Sequence, residues 1–461
     1  MTGGRSETNR VGVIGAGAGG IAAMKALREN DVAFDCFDER AQVGGIWAWQ
    51  EAPGRTCAWD RLNMNSPRGT YEFSDFPMPS HYPDFPTRAQ CQAYLEAAVD
   101  HYGLRTDIRL DERVEKIERV DELWTVTLAS GERRGYRALV VANGHHNTPR
   151  YPEIAGKFDG ETIHSRDYRR REPFAGKRVM VVGYGNSGAQ LAVDVSHTAE
   201  DTILVMRSGT YILPHYIRNI RVDRVFDTTM FGLAPFWLEN ALGTMLYRLV
   251  LGRPERHGLP RPKAGLGAIF PTVSDSLINR VGDGRIRIRP QAVRTEGRRV
   301  TFANDTTAEI DTIIHATGYH LTFPFLPPGL VEKADNRICL YMRTFLPSDP
   351  TLSIIGAWQG QATWGFLPAM EAQARLVGAQ LSGRYVLPEP AAMRAAIDAD
   401  ARSIARMFVD TPRHHYQLYI PHFLRAVRRE LRRGAQRRTA ETRPGASRGA
   451  PSVLRVGPRS P

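Results

Sequence analysis

Two glycine-rich turns carry the chemistry most directly legible in this chain. Gly15-x-Gly17-x-x-Gly20 and Gly183-x-Gly185-x-x-Gly188 both have the spacing of a phosphate cradle. The first glycine allows a tight turn, the second lets backbone approach a pyrophosphate, and the third lets helix and strand pack closely. Ala18 and Gly19 in the first turn, and Asn186 and Ser187 in the second, stand where a helix opens and its N-terminus faces the phosphates. Downstream of the turns the two units diverge. Asp38 lies 18 residues beyond Gly20, with Glu39 beside it as the runner-up; a carboxylate there accepts hydrogen bonds from ribose hydroxyls and repels a 2′-phosphate. Arg207 lies 19 residues beyond Gly188, where a guanidinium pairs bidentately with a 2′-phosphate. FAD or NAD is expected at the first turn and NADPH at the second, which implies electron transfer from NADPH to a flavin.

The elements that must position these turns can be placed from the apolar runs. Arg10 to Gly20 reads RVGVIGAGAGG, a short strand and the first turn, followed by a helical pattern from Ile21 to Arg28 and a strand from Val32 to Phe37. A second such β-α-β unit begins at Lys177 with KRVMVVGYGNSG, followed by helix Ala189 to Val195 and strand Thr202 to Met206. Two further segments resemble each other, ALVVANGHHNTPRYP (Ala138 to Pro152) and TIIHATGYHLTFPF (Thr312 to Phe325). Each is an apolar strand running into Ala-Asn-Gly or Ala-Thr-Gly and then a Pro-containing stretch where a helix cannot easily start. They bracket the second unit and read as crossing points between two domains.

The predicted fold is therefore α/β, with two nested Rossmann-like dinucleotide-binding domains, the FAD domain being interrupted by the NADPH domain. The expected divisions are a flexible N-terminus at 1–10, FAD domain at 11–150, NADPH domain at 151–320, returning FAD domain with C-terminal helices at 321–433, and an Arg-rich disordered tail at 434–461. Asn63 to Pro86, rich in Pro and aromatics, suits a long functional loop. Arg88 to Tyr102 reads as a helix and Val114 to Leu128 as paired strands. The apolar insert, Val225 to Leu251, reads either as amphipathic helix or as part of a substrate channel.

Composition bounds the remaining classes. The 461 residues, 42% hydrophobic and 24% charged, suit a folded protein of two or three domains. The formal charge of +12 invites a nucleic-acid or acidic-membrane reading, but Pro412 to Pro461 holds twelve Arg against two Glu, or +10, leaving +2 for the other 411 residues. Cys36, Cys57, Cys91 and Cys339 are far apart, which argues against a zinc site, a redox dithiol or a disulfide scaffold and fits a reducing compartment. The N-terminus MTGGRSETNR has no apolar core of a signal peptide and no run is long enough to span a membrane. A cytoplasmic location is the resulting expectation, with no metal and no nucleic-acid partner. A homodimer is left open.

Five motifs in order give the chain a resemblance to the flavin-containing monooxygenase family of class B flavin monooxygenases. They are Gly15-Ala-Gly-Ala-Gly-Gly20, Gly44-Gly45-Ile46-Trp47, Phe158-x-Gly160-x-x-x-His164-x-x-x-Tyr168, Gly183-Tyr-Gly-Asn-Ser-Gly188 and Ala316-Thr-Gly-Tyr319. The resemblance covers roughly Val11 to Arg375, with no counterpart expected after about Asp410. It selects Asp38 for the ribose, six residues before the Gly-Gly-x-Trp element, adds Gly45, Trp47 and Val114 to the FAD residues, and adds Thr317 and Gly318 to those for NADPH. Asn65, eight residues before Phe73, matches the family's active-site Asn beside the flavin. In Gly356 to Arg375 a family Gln approaches the cofactor, and Gln359 and Gln361 both remain open for that role.

The resemblance implies that NADPH reduces the flavin, that reduced flavin captures dioxygen as a C4a-hydroperoxide, and that a nucleophilic nitrogen or sulfur of a small, partly apolar substrate takes the distal oxygen. Asn65 is then the candidate hydrogen-bond donor to the adduct. His164 and Tyr168 are expected to act structurally at the domain junction. Baeyer-Villiger oxygenation of a ketone is the competing activity, although that group has Trp where this chain has Tyr168. A dithiol reductase lacks its cysteine pair. The remaining alternative is a binding protein acting through its basic C-terminus, where Leu418 to Arg433 reads as a basic amphipathic helix.

Overall fold

The computed structural model describes residues 9–52, 56–226, 234–331, 336–360 and 365–442. Two five-stranded parallel sheets organise it. In the first, the order is Leu352–Ile354, Ala138–Val141, Val11–Ile14, Phe34–Phe37, Ile108–Arg109. All pairs are parallel, with Val11 opposite both Phe34 and Ala138. The second runs Glu161–His164, Thr312–His315, Arg178–Val182, Asp201–Val205, Arg287–Arg289, again parallel throughout. Strands such as VGVI and ALVV are apolar at every position because helices or loops cover both faces of a parallel sheet.

The alternation within each strand assigns the two faces. On the first sheet Val13 and Val140 pack with Ile21 of helix Ala18–Glu29 and Leu376 of helix Phe366–Leu381. Ile14 and Val141 face the other way, onto Ile117, Val126 and Phe323. That second layer is built on an antiparallel meander, Val114–Val120, Leu123–Leu128 and Arg133–Tyr136. Helix Arg88–His101 opens with a full capping box between Thr87 and Gln90, which satisfies two of the N–H groups that a helix leaves orphaned.

The chain passes between the sheets twice, and the two passages touch. Thr148–Pro149 pairs antiparallel with Tyr319–His320, putting Tyr319 opposite Pro149. Arg150 N donates to Gly318 O at 3.0 Å, and Arg150 Nη2 to Thr317 O at 3.0 Å.

Buried charge is concentrated where helices meet the loop at 63–86. Lys25 Nζ is 2.7 Å from Asp75 and 2.8 Å from Glu371, whose other oxygen accepts from Ser74 N at 2.9 Å. Burial opposes the lysine's charge, but the two carboxylates outweigh it and raise its pKa.

The C-terminal expectation needs correction. The helix does not end near Arg433 but runs from Ile420 to Thr442, through Gly434. A side chain at Gly434 would collide with the Tyr385 ring, and Arg437 closes the contact by donating to Val386 O at 2.8 Å and pairing with Glu430. Residues 443–461, the rest of the expected tail, lie outside the described residues, as does the expected N-terminus at 1–8.

The insert contains helices Val222–Phe226 and Phe236–Val250. The longer one turns Gly243 and Tyr247 inward and leaves Trp237 and Leu249 exposed, at 69% and 76%. Among the described residues, no helix is long and apolar enough to cross a membrane, and no cluster of three His, Cys, Asp or Glu is placed to hold a metal.

Candidate dinucleotide sites and the seam between them

Each glycine-rich turn joins a central parallel strand to the helix behind it, at the carboxyl end of the sheet where α/β folds bind ligands. In the first, Gly17 caps helix Ala18–Glu29 without any side-chain cap, so the helix end has backbone N–H groups to offer a ligand. A side chain at Gly20 would strike Gly15 O, and one at Gly45 would lie 2.9 Å from Gly17 Cα. The cradle is thus bare backbone, as close approach of a pyrophosphate requires. Asp38 is 4% exposed; its Oδ2 accepts from Ala16 N at 2.7 Å and its Oδ1 from Arg40 N at 2.9 Å. Burial raises its pKa, with Arg40 and the two N–H donors opposing. Glu39, by contrast, points outward with a side chain 46% exposed. Of the two acids, Asp38 is the one held at the turn.

Trp47 donates from Nε1 to Tyr71 OH at 2.9 Å and is buried, so it braces the loop behind the turn. Val114 is buried at the start of the meander. Gln359 pairs its backbone with Tyr416, while its Oε1 is buried with no hydrogen-bond partner among the described residues, a polar atom suited to a ligand. Gln361 lies outside the described residues. Trp358 donates from Nε1 to Gln373 Oε1 at 2.8 Å and stacks on Phe366, their planes 5° apart.

The second turn repeats the geometry. Gly185 caps helix Asn186–Val195, again without a side-chain cap, and a side chain at Gly188 would strike Gly183 O. Asn186 Oδ1 accepts from Val273 N at 2.8 Å, which ties the helix start to strand Thr272–Val273. Ser187 is exposed at the turn. Arg207 stands just past strand Asp201–Val205, exposed and without an ion pair among the described residues. Thr317 and Gly318 sit beside this turn, their carbonyls engaged by Arg150.

Asn65 joins the two sites. It belongs to the long loop of the first domain, yet its Oδ1 accepts from Gln190 Nε2, on the helix of the second turn, at 2.5 Å. Gln190 Oε1 is buried without a partner among the described residues.

A family profile described as flavin-binding monooxygenase-like matches residues 8–429. The chain belongs to the flavin-binding monooxygenase family. It is 32% identical over 432 residues to a protein named flavin-containing monooxygenase 5 from Cavia porcellus, covering 88% of this chain and 80% of that one. It is 29% identical over 413 residues to flavin-containing monooxygenase 3 from Rattus norvegicus, at 84% and 77% coverage. Among solved structures, S-allyl-L-cysteine S-oxygenase from Allium sativum superposes with a TM-score of 0.69 at 22% identity, covering 95% of this chain and 94% of that one. Cyclohexanone monooxygenase in its open form gives 0.70 at 19% identity, with 93% and 99% covered. At those identities the two structures speak for the fold.

As a flavin-binding monooxygenase the chain is an oxidoreductase that uses FAD and NADPH. The match runs past Asp410 to residue 429, so the beginning of the basic helix has a family counterpart that the motifs did not disclose.

The family fingerprint lies inside the second domain. Phe158 ends a strand, and a side chain at Gly160 would lie 2.5 Å from that ring and from Asp311 O. His164 is fully buried; its Nδ1 accepts from Arg166 N at 3.1 Å, and its ring meets Tyr151 and Tyr319 edge-on. Burial pushes its pKa down to about 4, leaving it neutral at neutral pH. Tyr168 donates to Asp194 at 2.6 Å and stacks on Phe174. These contacts support packing roles for both residues.

Sequence reading missed Gln190, Lys25 and Arg413, of which the last stands beside Gly185. No local signal marks any of them, because each acquires its partners from distant parts of the chain.

Proposed function

We propose that this flavin monooxygenase oxygenates a nucleophilic nitrogen or sulfur of a small, partly apolar molecule, using NADPH and dioxygen, from the cytoplasm. The carrying observation is that two bare glycine cradles, one followed by buried Asp38 and the other by Arg207, which is exposed and has no ion pair among the described residues, are bridged by the Asn65–Gln190 hydrogen bond. FAD when bound supplies the redox and oxygen-activating chemistry.

The residues do the rest. Asp38 spends one acceptor site of each carboxylate oxygen on backbone N–H groups and keeps the others for ribose hydroxyls. The helix ends at Gly17 and Gly185 hold the pyrophosphates, and Arg207 reads the 2′-phosphate. With its oxygen engaged by Gln190, Asn65 keeps its N–H donors for the flavin side of the seam. Gln359 Oε1 supplies an acceptor on the returning segment, and stacked Trp358 and Phe366 help exclude water. His164, buried and neutral, packs against Tyr151 and Tyr319 while its Nδ1 accepts from Arg166 N. The division of the chain into an FAD domain interrupted by an NADPH domain belongs to this reading.

The test is to purify the yellow protein, confirm FAD release on denaturation, and follow NADPH oxidation while screening amines, sulfides and ketones with product analysis by mass spectrometry. N-oxide or sulfoxide formation matching NADPH consumption supports the proposal. Ester formation from ketones alone would make it a Baeyer-Villiger enzyme, and a protein that cannot be loaded with FAD would overturn the site assignment.

A further inference from the structure

Arg413 lies on the segment between helix Pro390–Met407 and strand Gln417–Leu418, outside the second sheet and distant from it in sequence. Its guanidinium stacks over the Phe270 ring, 4.3 Å from the centroid. Nη1 is also 3.1 Å from the position where a side chain on Gly185 would begin. Arg413 thus presses a cation against the turn that caps helix Asn186–Val195, where the helix dipole is already positive.

That placement is costly unless something negative belongs there. Arg413 makes no hydrogen bond or ion pair among the described residues. Nearby Arg150 does not compensate it, since it donates to the Thr317 carbonyl and has no carboxylate within ion-pair distance among the described residues. Other arginines of this protein do have carboxylate partners, as Arg178 with Asp311 at 2.8 Å and the buried Arg343 with Asp400 at 2.7 Å. Burial lowers the Arg413 pKa and nearby Arg150 lowers it further, while Tyr416 and Tyr184 offset part of that. A guanidinium without a carboxylate partner at a helix N-terminus suits the non-bridging oxygens of a doubly charged pyrophosphate, which accept from its N–H fork.

We propose that Arg413 is a binding residue for the pyrophosphate of the nicotinamide dinucleotide, clamping it against the Gly183–Gly188 turn from the side opposite the helix. The proposal rests on the assignment of NADPH to that turn. It divides recognition between two arginines. Arg207 reads the 2′-phosphate that distinguishes NADPH from NADH, whereas Arg413 reads the pyrophosphate common to both. Phe270 holds the guanidinium flat through its ring face, so that the plane stays oriented when the ligand leaves.

Calorimetric titration of the FAD-loaded protein tests this with three ligands: NADP⁺, NAD⁺ and 2′-AMP, the last having no pyrophosphate. Arg413→Ala is expected to weaken NADP⁺ and NAD⁺ by a similar factor of about 10 to 100 while leaving 2′-AMP nearly unchanged. It should also flatten the salt dependence of NADP⁺ binding. Arg207→Ala should show the complementary pattern, losing NADP⁺ and 2′-AMP but sparing NAD⁺. Arg413→Lys, which keeps the charge without the fork, should fall between wild type and Ala and serves as the measurement if the Ala variant does not fold. Wild-type affinity for NADP⁺ and NAD⁺ in both Arg413 variants would overturn the proposal and leave the NADPH assignment standing. Failure of the wild-type holoprotein to bind NADP⁺ at all would instead overturn that assignment.

Discussion

Asn65 and Gln190, 125 residues apart, meet through a hydrogen bond of 2.5 Å that crosses from the loop of one dinucleotide domain to the helix of the other. An amide with its oxygen engaged has only N–H donors left to present. The helix that carries Gln190 is the one whose N-terminus forms the second cradle, so occupation of that cradle and orientation of Asn65 share one rigid element.

Replacing Asn65 should therefore uncouple the enzyme without emptying it. Asn65→Ala is expected to retain FAD but to release more hydrogen peroxide per NADPH consumed, and Gln190→Leu should shift the ratio in the same direction by less. Peroxide assay against product yield measures this. An unchanged ratio in Asn65→Ala would remove the residue from the mechanism.

Arg207 sets a second expectation, because an exposed guanidinium with no ion pair among the described residues has nothing else to hold it at the strand end. Arg207→Ala should raise the KM for NADPH by about 10- to 100-fold, the equivalent of a charge-assisted hydrogen bond of roughly 1.5–3 kcal/mol, and should leave the KM for NADH almost unaltered. Steady-state kinetics with both nucleotides decide it; equal changes would make Arg207 an ordinary surface residue.

Much of this architecture could be read from residue order. Strands such as VGVI and ALVV announce themselves because parallel strands buried on both faces are apolar throughout, and the glycine spacings reflect backbone collisions that admit no side chain. The crossing points were legible for the same reason. Arg413 was not, since its meaning depends on Gly185 more than two hundred residues earlier and on the absence, among the described residues, of a carboxylate partner that no local pattern can reveal. Gly434 misled in a different way: by propensity it ends a helix, but here the helix continues because only glycine fits against Tyr385. Gln361, one of two residues considered for the flavin, falls outside the described residues and leaves Gln359 as the one whose surroundings can be weighed.

Five buried or half-buried histidines make stability depend on acid. His145, His164, His315 and His414 are pushed down to about 4 by burial, and His146 lies well below its ordinary value for the same reason, from an ordinary 6.5. Between those values the unfolded chain binds more protons than the folded one, so stability is full above about pH 6.5 and falls as the pH drops toward 4. Calorimetry across that range should show Tm declining steadily below pH 6.5. A flat profile would mean that these rings are solvated.

The Lys25 cluster should be intolerant of losing one partner. Glu371→Ala leaves the buried ammonium with Asp75 and the exposed, more distant Glu29 at 3.7 Å, and leaves Ser74 N without its acceptor, a change expected to cost about 3–5 kcal/mol. Urea denaturation of the holoprotein measures it, and a cost under about 1 kcal/mol would place the cluster among weak surface pairs.

At Gly434 the expected effect is steric. Gly434→Leu should lower stability by at least about 1–3 kcal/mol by forcing Tyr385 or the helix to move, while Arg433→Ala, at an exposed position of the same helix, provides a surface control for the denaturation curves.

The insertion of one domain into the other also has a temporal side. Strand Ala138–Val141 needs Leu352–Ile354 as its edge partner, and that partner leaves the ribosome only after every strand of the second sheet has been made. The inserted sheet has all its pieces early, whereas the outer one waits with an unpaired apolar edge. Synthesis thus passes through a stage in which the later cofactor domain can be complete while the earlier one is still open to wrong partners.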